Sequence, residues 1–135
     1  MFFWSQKKDK NNPLAKKPSS TGNTRTQISE KVFSKMVDNN LKGRKLEQSG
    51  KVEEAKKLYE KNISMNFDGN FPYDRLAVIY RKEKDYDNEI RVLNHAIHVF
   101  SDLRATSPRA DISPKLKKFK ERLSKATALK KAHNQ

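Results

Sequence analysis

Ile28, Val32, Phe33, Met36, Val37 and Leu41 recur at spacings of three and four, which puts them on one side of a helix. Ser29-Glu30 is a start signal and Ser49-Gly50 a stop, so the spacing predicts a first helix ending near Gln48. Ala55, Leu58, Tyr59, Asn62, Ile63 and Met65 share the face of a second helix, and Phe67-Asp68-Gly69-Asn70 reads as a turn. Pro72 suits the first turn of a third helix, with Tyr73, Leu76, Ala77, Ile79 and Tyr80 apolar. Lys84-Asp85 interrupts, and a fourth helix carries Ile90, Leu93, Ala96, Ile97 and Phe100. The stretch from Ser101 to Ser113 reads as broken. A fifth helix is predicted to start at Ser113-Pro114, as N-cap and first helical position, with Leu116, Phe119, Leu123 and Ala126 as its apolar stripe. No segment alternates with period two for more than a few residues, so the expected class is all-α.

Charge changes this picture at the ends. The chain has 30 Lys plus Arg against 16 Asp plus Glu, a formal net charge of +14. Residues 1–25 hold six basic residues and Asp9, residues 26–102 hold fourteen basic and thirteen acidic, and residues 103–135 hold ten basic against Asp111 and Glu121. Long-range attraction to nucleic acid or anionic lipid therefore resides in the termini. The expected organisation is a basic tail over 1–25 with an aromatic start at Phe2-Phe3-Trp4, two helical hairpins over 26–102, and a linker with a basic amphipathic capping helix over 103–135. The tail has too few apolar side chains to offset the cost of ordering it. With no cysteine, thiolate metal sites, disulfides and cysteine nucleophiles are excluded. No apolar run reaches the ~20 residues of a membrane span, and Met1-Phe2-Phe3-Trp4 is too short for a secretory signal, so a cytoplasmic location is expected.

Sliding the chain by 34 residues lays helices one and two on helices three and four. Gly43 falls on Ala77, Leu46 on Tyr80, Val52 on Tyr86, Tyr59 on Leu93 and Ile63 on Ile97. The period, the string from Gly50 to Tyr59 and the string from Leu76 to Tyr86 resemble tetratricopeptide (TPR) repeats. The family places a small residue in the first helix where the second crosses closely, matched by Gly43 and Ala77. A large residue three positions on is matched by Leu46 and Tyr80. Glu89 and Asn62 depart from the pattern, and no closing proline ends either unit. The resemblance covers about Val37 to Ser101. It implies antiparallel helical hairpins stacked as a short right-handed TPR-like solenoid, with the fifth helix covering an edge that two units leave exposed.

The resemblance also implies a concave groove for a partner's peptide or helix. Val37, Asn40, Arg44 and Gln48 in the first unit, and Phe71, Asp74, Arg75, Val78 and Arg81 in the second, are in register with groove residues of the family. Asn40 and Arg44 stand where the family's carboxylate clamp has a Lys–Asn pair, which argues against the chaperone-tail ligand. The basic fifth helix has three readings. It is a soluble cap, a phosphate-binding face through Lys115, Lys118, Arg122 and Lys125, or a membrane-surface helix. Self-association through poorly capped edges is a further reading. His95 and His98 read as a surface pair off the apolar face, and no cofactor, metal site or catalytic motif is expected. The expected function is a non-enzymatic scaffold binding another protein. The alternative is a basic nucleic-acid-associated protein.

Overall fold

A computed structural model describes residues 29–134. The tail over 1–25, Phe2-Phe3-Trp4 and Ile28 lie outside the described residues. Those residues form five helices and no strand: α1 (Glu30–Gln48), α2 (Val52–Ser64), α3 (Phe71–Lys82), α4 (Tyr86–Thr106) and α5 (Ile112–His133). By compactness the chain divides into two units, residues 1–38 and residues 39–135.

In the first unit Ser29 caps α1, its Oγ accepting from the Val32 backbone N–H at 3.1 Å. This satisfies one of the amides that a helix start leaves without an intrahelical acceptor.

In the second unit consecutive helices run antiparallel. Between α1 and α2, Asn62 donates to Asn40 and Tyr59 to Glu47. Between α3 and α4, Arg81 meets Glu89 near one end and Tyr73 meets Phe100 near the other. Between α4 and α5, Phe100 packs on Phe119 while Tyr86 meets His133. In every pair residue numbers rise on one helix as they fall on the other.

The turns inside the two hairpins, α1–α2 and α3–α4, are copies. Gln48 and Lys82 end α1 and α3, and Val52 and Tyr86 begin α2 and α4, each pair 34 positions apart. Gly50 and Lys84 hold the same place in the turns, with φ of 80° and 57°. Lys51 N–H donates to the Leu46 carbonyl and Asp85 N–H to the Tyr80 carbonyl, both at 2.8 Å. This bond closes the left-handed helix ending in which a residue of positive φ recovers the last carbonyls. Glycine adopts that conformation freely at 50; a lysine adopts it at 84.

The first crossing is close because Gly43 has no side chain. A Cβ there would stand 2.5 Å from Cε1 of Tyr59, whose side chain is fully buried. The core extends from Ala55, Tyr59 and Ile63 through Tyr73, Leu76, Ala77 and Leu93 to Leu116, Phe119 and Ala126 of α5.

Several local expectations are corrected. Helix α4 continues to Thr106, because Val92, Ala96, Val99, Phe100 and Leu103 form one buried stripe through the polar residues after Ser101. Ile90 and Ile97 are only partly buried at its margin. Helix α5 starts at Ile112, not at Ser113-Pro114, with Asp111 at the N-cap and Pro114 inside the first turn. Proline is tolerated there because the first-turn amides lack helical acceptors anyway. Leu41, placed on the apolar face by its spacing, is 49% exposed.

His95 is not a free surface residue. Its ring stacks against Tyr73 at 6.0 Å between centroids and its Nε2 meets Asn66 Oδ1 at 2.8 Å. Burial pushes its pKa down, helped by His98 and Arg91, so the ring stays neutral at pH 7.

Candidate functional site

The C-terminal end of α1, the turn after it and the outer side of α3 border a cleft of about 520 Å³. Glu47, Gln48, Val52, Arg75, Val78, Ile79, Lys82 and Glu83 line it. Each residue arrives there for a local reason. Gln48 and Val52 flank the left-handed turn at Gly50, and Arg75, Val78 and Lys82 stand at helical spacings of three and four along α3.

Glu47 organises the wall. It accepts from the Tyr59 hydroxyl at 2.6 Å and from Arg75 Nη2 at 2.7 Å and Nε at 3.1 Å. Burial pushes the Glu47 carboxyl up, but these two donors, with the positive charges of Arg75 and Lys82, outweigh it and hold the pKa below the ordinary carboxylate value. The same carboxylate raises the Arg75 pKa by hydrogen bonding, so both stay charged. Tyr59 is pushed far up, first by burial and then by Glu47, and remains a donor.

At the rim, Lys56 of α2 donates to both Glu83 oxygens, at 2.9 and 3.0 Å. Lys82 is exposed and has no ion pair among the described residues. The cleft thus offers an apolar lining from Val52, Val78 and Ile79, a neutralised wall at Glu47–Arg75, and in Lys82 one cation without an ion pair among the described residues.

Of the residues expected in a groove, the structure gathers Gln48, Arg75 and Val78 here. Arg44 is exposed on α1. Phe71 is half-buried, edge-on to Tyr59 at 5.8 Å. Asn40 is buried, accepting from Asn62 at 2.8 Å, and so is committed to the α1–α2 contact. Asp74 is held by Asn70 and by Arg122 of α5. Val37 belongs to the first unit.

Arg81 is an anchor. Its Nε donates to Glu89 Oε2 at 2.8 Å, and Glu89 is 1% exposed. The second carboxylate oxygen, Oε1, is buried without a hydrogen-bond partner among the described residues. Glu89 stands 34 positions after Ala55, so the second hairpin places a charge where the first has a methyl group. Spacing revealed the position but not its guanidinium partner.

The four basic residues expected to meet phosphates divide in two. Lys115 is paired with Asp111 at 2.9 Å and Arg122 with Asp74, while Lys118 and Lys125 are exposed without ion pairs among the described residues. Asp111 is held far below the ordinary carboxylate range, first by Arg109 and then by Lys115. Arg109 also reaches the Asp68 carbonyl at 3.1 Å, tying the α4–α5 connection to the α2–α3 turn.

Glu47, Val52, Ile79, Lys82 and Glu83 belong to the cleft but escape a reading of the sequence. Nothing in local spacing marks Glu47 as the acceptor of two side chains, one 12 and one 28 positions away. Among the described residues no cluster of three His, Cys, Asp or Glu could hold a metal ion, and no helix is long and apolar enough to cross a membrane. No protein-family model, curated protein or solved structure matches the chain.

Proposed function

We propose that the protein is a non-enzymatic, cytoplasmic TPR-like scaffold that holds a peptide or helix of another protein in the α1–α3 cleft. One observation carries the reading: two hairpins with the same turn geometry 34 positions apart leave a cleft bordered by the end of α1, the start of α2 and α3, with Val52, Val78 and Ile79 as its apolar lining. An extended or helical ligand suits such a lining, which offers side-chain pockets and a few polar groups for register. The Glu47–Arg75 pair keeps the wall fixed. Lys82 supplies an attraction for a carboxylate on the ligand.

The test is selection of peptides from a display library on the intact chain. Each selected binder is then measured on Val78→Asp/Lys82→Glu and on the α2 control Lys57→Gln/Lys61→Gln. Binders should weaken at least about tenfold on the first variant, about 1.4 kcal/mol, as expected when a charge is placed against residues central to an interface, and be unchanged on the control. Binders indifferent to Val78→Asp/Lys82→Glu would place recognition elsewhere. Arg81 is unsuitable for this test, because reversing it would strand the buried Glu89 carboxylate and destabilise the hairpin instead of probing the cleft.

A further inference from the structure

The C-terminal helix carries charge that the fold leaves unused. Residues 103–134 contain ten basic side chains. Four are committed to carboxylates: Arg109 and Lys115 to Asp111, Arg122 to Asp74, and Lys130 to Asp87. The other six, Arg104, Lys117, Lys118, Lys120, Lys125 and Lys131, are exposed and without an ion pair among the described residues. Glu121 is the only acidic residue within α5.

The placement of these cations is specific. At 3.6 residues per turn the five lysines fall on the solvent half of α5. Lys117 and Lys120 border a cleft of about 460 Å³ together with Arg104 of α4 and with Ser113, Leu116, Glu121 and Ser124 of α5, so three cations share it with one carboxylate. From Lys117 to Lys131 the lysines span about 21 Å along the helix axis and about 160° around it.

We propose that this α4–α5 face binds the phosphodiester backbone of nucleic acid without reading its sequence. A cationic face this long matches a ligand whose negative charge repeats, whereas a single phosphate would engage two or three of the cations. Insertion into a lipid surface requires an apolar face turned outward. Here Ile112, Leu116, Phe119 and Ala126 are all buried in the core, so that face is already occupied. No exposed Phe, Tyr or Trp stands among the six cations to stack on a base, which leaves phosphate contacts as the source of affinity.

The face is independent of the α1–α3 cleft and requires a different assay. Fluorescence anisotropy of the full chain with labelled DNA and RNA duplexes of about 20 base pairs measures affinity between roughly 50 and 200 mM salt. Four to six phosphate contacts predict a fall of about 10²–10³-fold over that range. In Lys117→Gln/Lys120→Gln/Lys125→Gln the slope of log affinity against log salt should shrink by about 2 to 3, since each contact contributes ~0.9. Lys57→Gln/Lys61→Gln should leave it unchanged. Circular dichroism checks the helices, and Lys118→Gln/Lys131→Gln supplies a second, independent variant with a slope reduced by about 2. Comparison of the DNA and RNA arms identifies the duplex preferred. The proposal fails if the chain shows no salt-sensitive affinity, or if the triple variant binds undiminished, which would move the contact to the basic N-terminal residues. It fails equally if the α2 control loses as much, or if anionic vesicles or polyglutamate bind more tightly than either duplex.

Discussion

Replacing Gly43 with alanine tests whether the first hairpin depends on a close approach that the second achieves differently. The new Cβ would stand 2.5 Å from Cε1 and 2.8 Å from Cζ of Tyr59. A carbon contact is comfortable at about 3.5–4.0 Å, so the ring must retreat by about 1 Å. It has little freedom to do so. The ring is fully buried, its hydroxyl is fixed on Glu47 at 2.6 Å, and its edge packs on Phe71. Overpacking of this kind costs about 1–3 kcal/mol, while replacing a mid-helix glycine with alanine returns about 1 kcal/mol. The expected net destabilisation is therefore about 0–2 kcal/mol.

The second hairpin shows how to relieve the clash. Its residues at the same positions are Ala77 and Leu93, both buried. Tyr59→Leu alone should destabilise by about 1–3 kcal/mol through lost ring contacts and a Glu47 without its hydroxyl donor. Gly43→Ala with Tyr59→Leu recreates the Ala–Leu pair, and the double variant should be more stable than the sum of the singles by about 1–2 kcal/mol. Urea unfolding followed by circular dichroism gives these differences, provided the slope with denaturant is constant across the set. Additivity within about 0.5 kcal/mol would refute the claim that Gly43 exists to admit the Tyr59 ring.

Other outcomes follow from the same geometry. Glu89→Met should be near neutral or stabilising, whereas Arg81→Met, which strands a carboxylate that is 1% exposed, should cost about 3–5 kcal/mol; equal effects in urea titrations would contradict the asymmetry. Lys84→Gly should stabilise by about 0.5–1 kcal/mol by relieving a non-glycine residue at φ 57°, and Gly50→Ala should destabilise by a similar amount; opposite shifts in melting temperature check both. Phe119→Ala should cost about 3–5 kcal/mol, because Phe119 packs on both Tyr73 and Phe100; a loss under about 1 kcal/mol would mean that α5 is no part of the core. Because the folded-state pKa of His95 is depressed, the unfolded chain binds more protons. Stability should therefore hold above the ordinary histidine value of 6.5 and decline as pH falls below it. That decline should shrink in His95→Gln, and an unchanged pH profile would remove His95 from the account.

The local features were legible in the order of residues. Apolar spacings of three and four place all five helices, and residues within one or two turns of each other set the turns at Gly50 and Lys84. Local bonds such as Lys51 N–H to the Leu46 carbonyl depend on few other contacts, so a 34-residue repeat is visible without coordinates. Boundaries failed where one residue carries two meanings. Pro114 marks a helix start but is tolerated anywhere in the first turn, and the polar residues after Ser101 conceal a buried Leu103.

Which charges are free depends on how the helices pack. Arg75 and Arg81 lie on one helix and resemble each other as groove candidates, yet one braces the cleft wall through Glu47 and the other neutralises a buried Glu89. Lys115 and Arg122 are neutralised by Asp111 and Asp74, while Lys118 and Lys125 face water. Asp74 lies 48 positions from Arg122, and no helical period connects them. Pairing at that range follows from how the helices pack, because a charge chooses its partner by distance in space and by the water displaced between them.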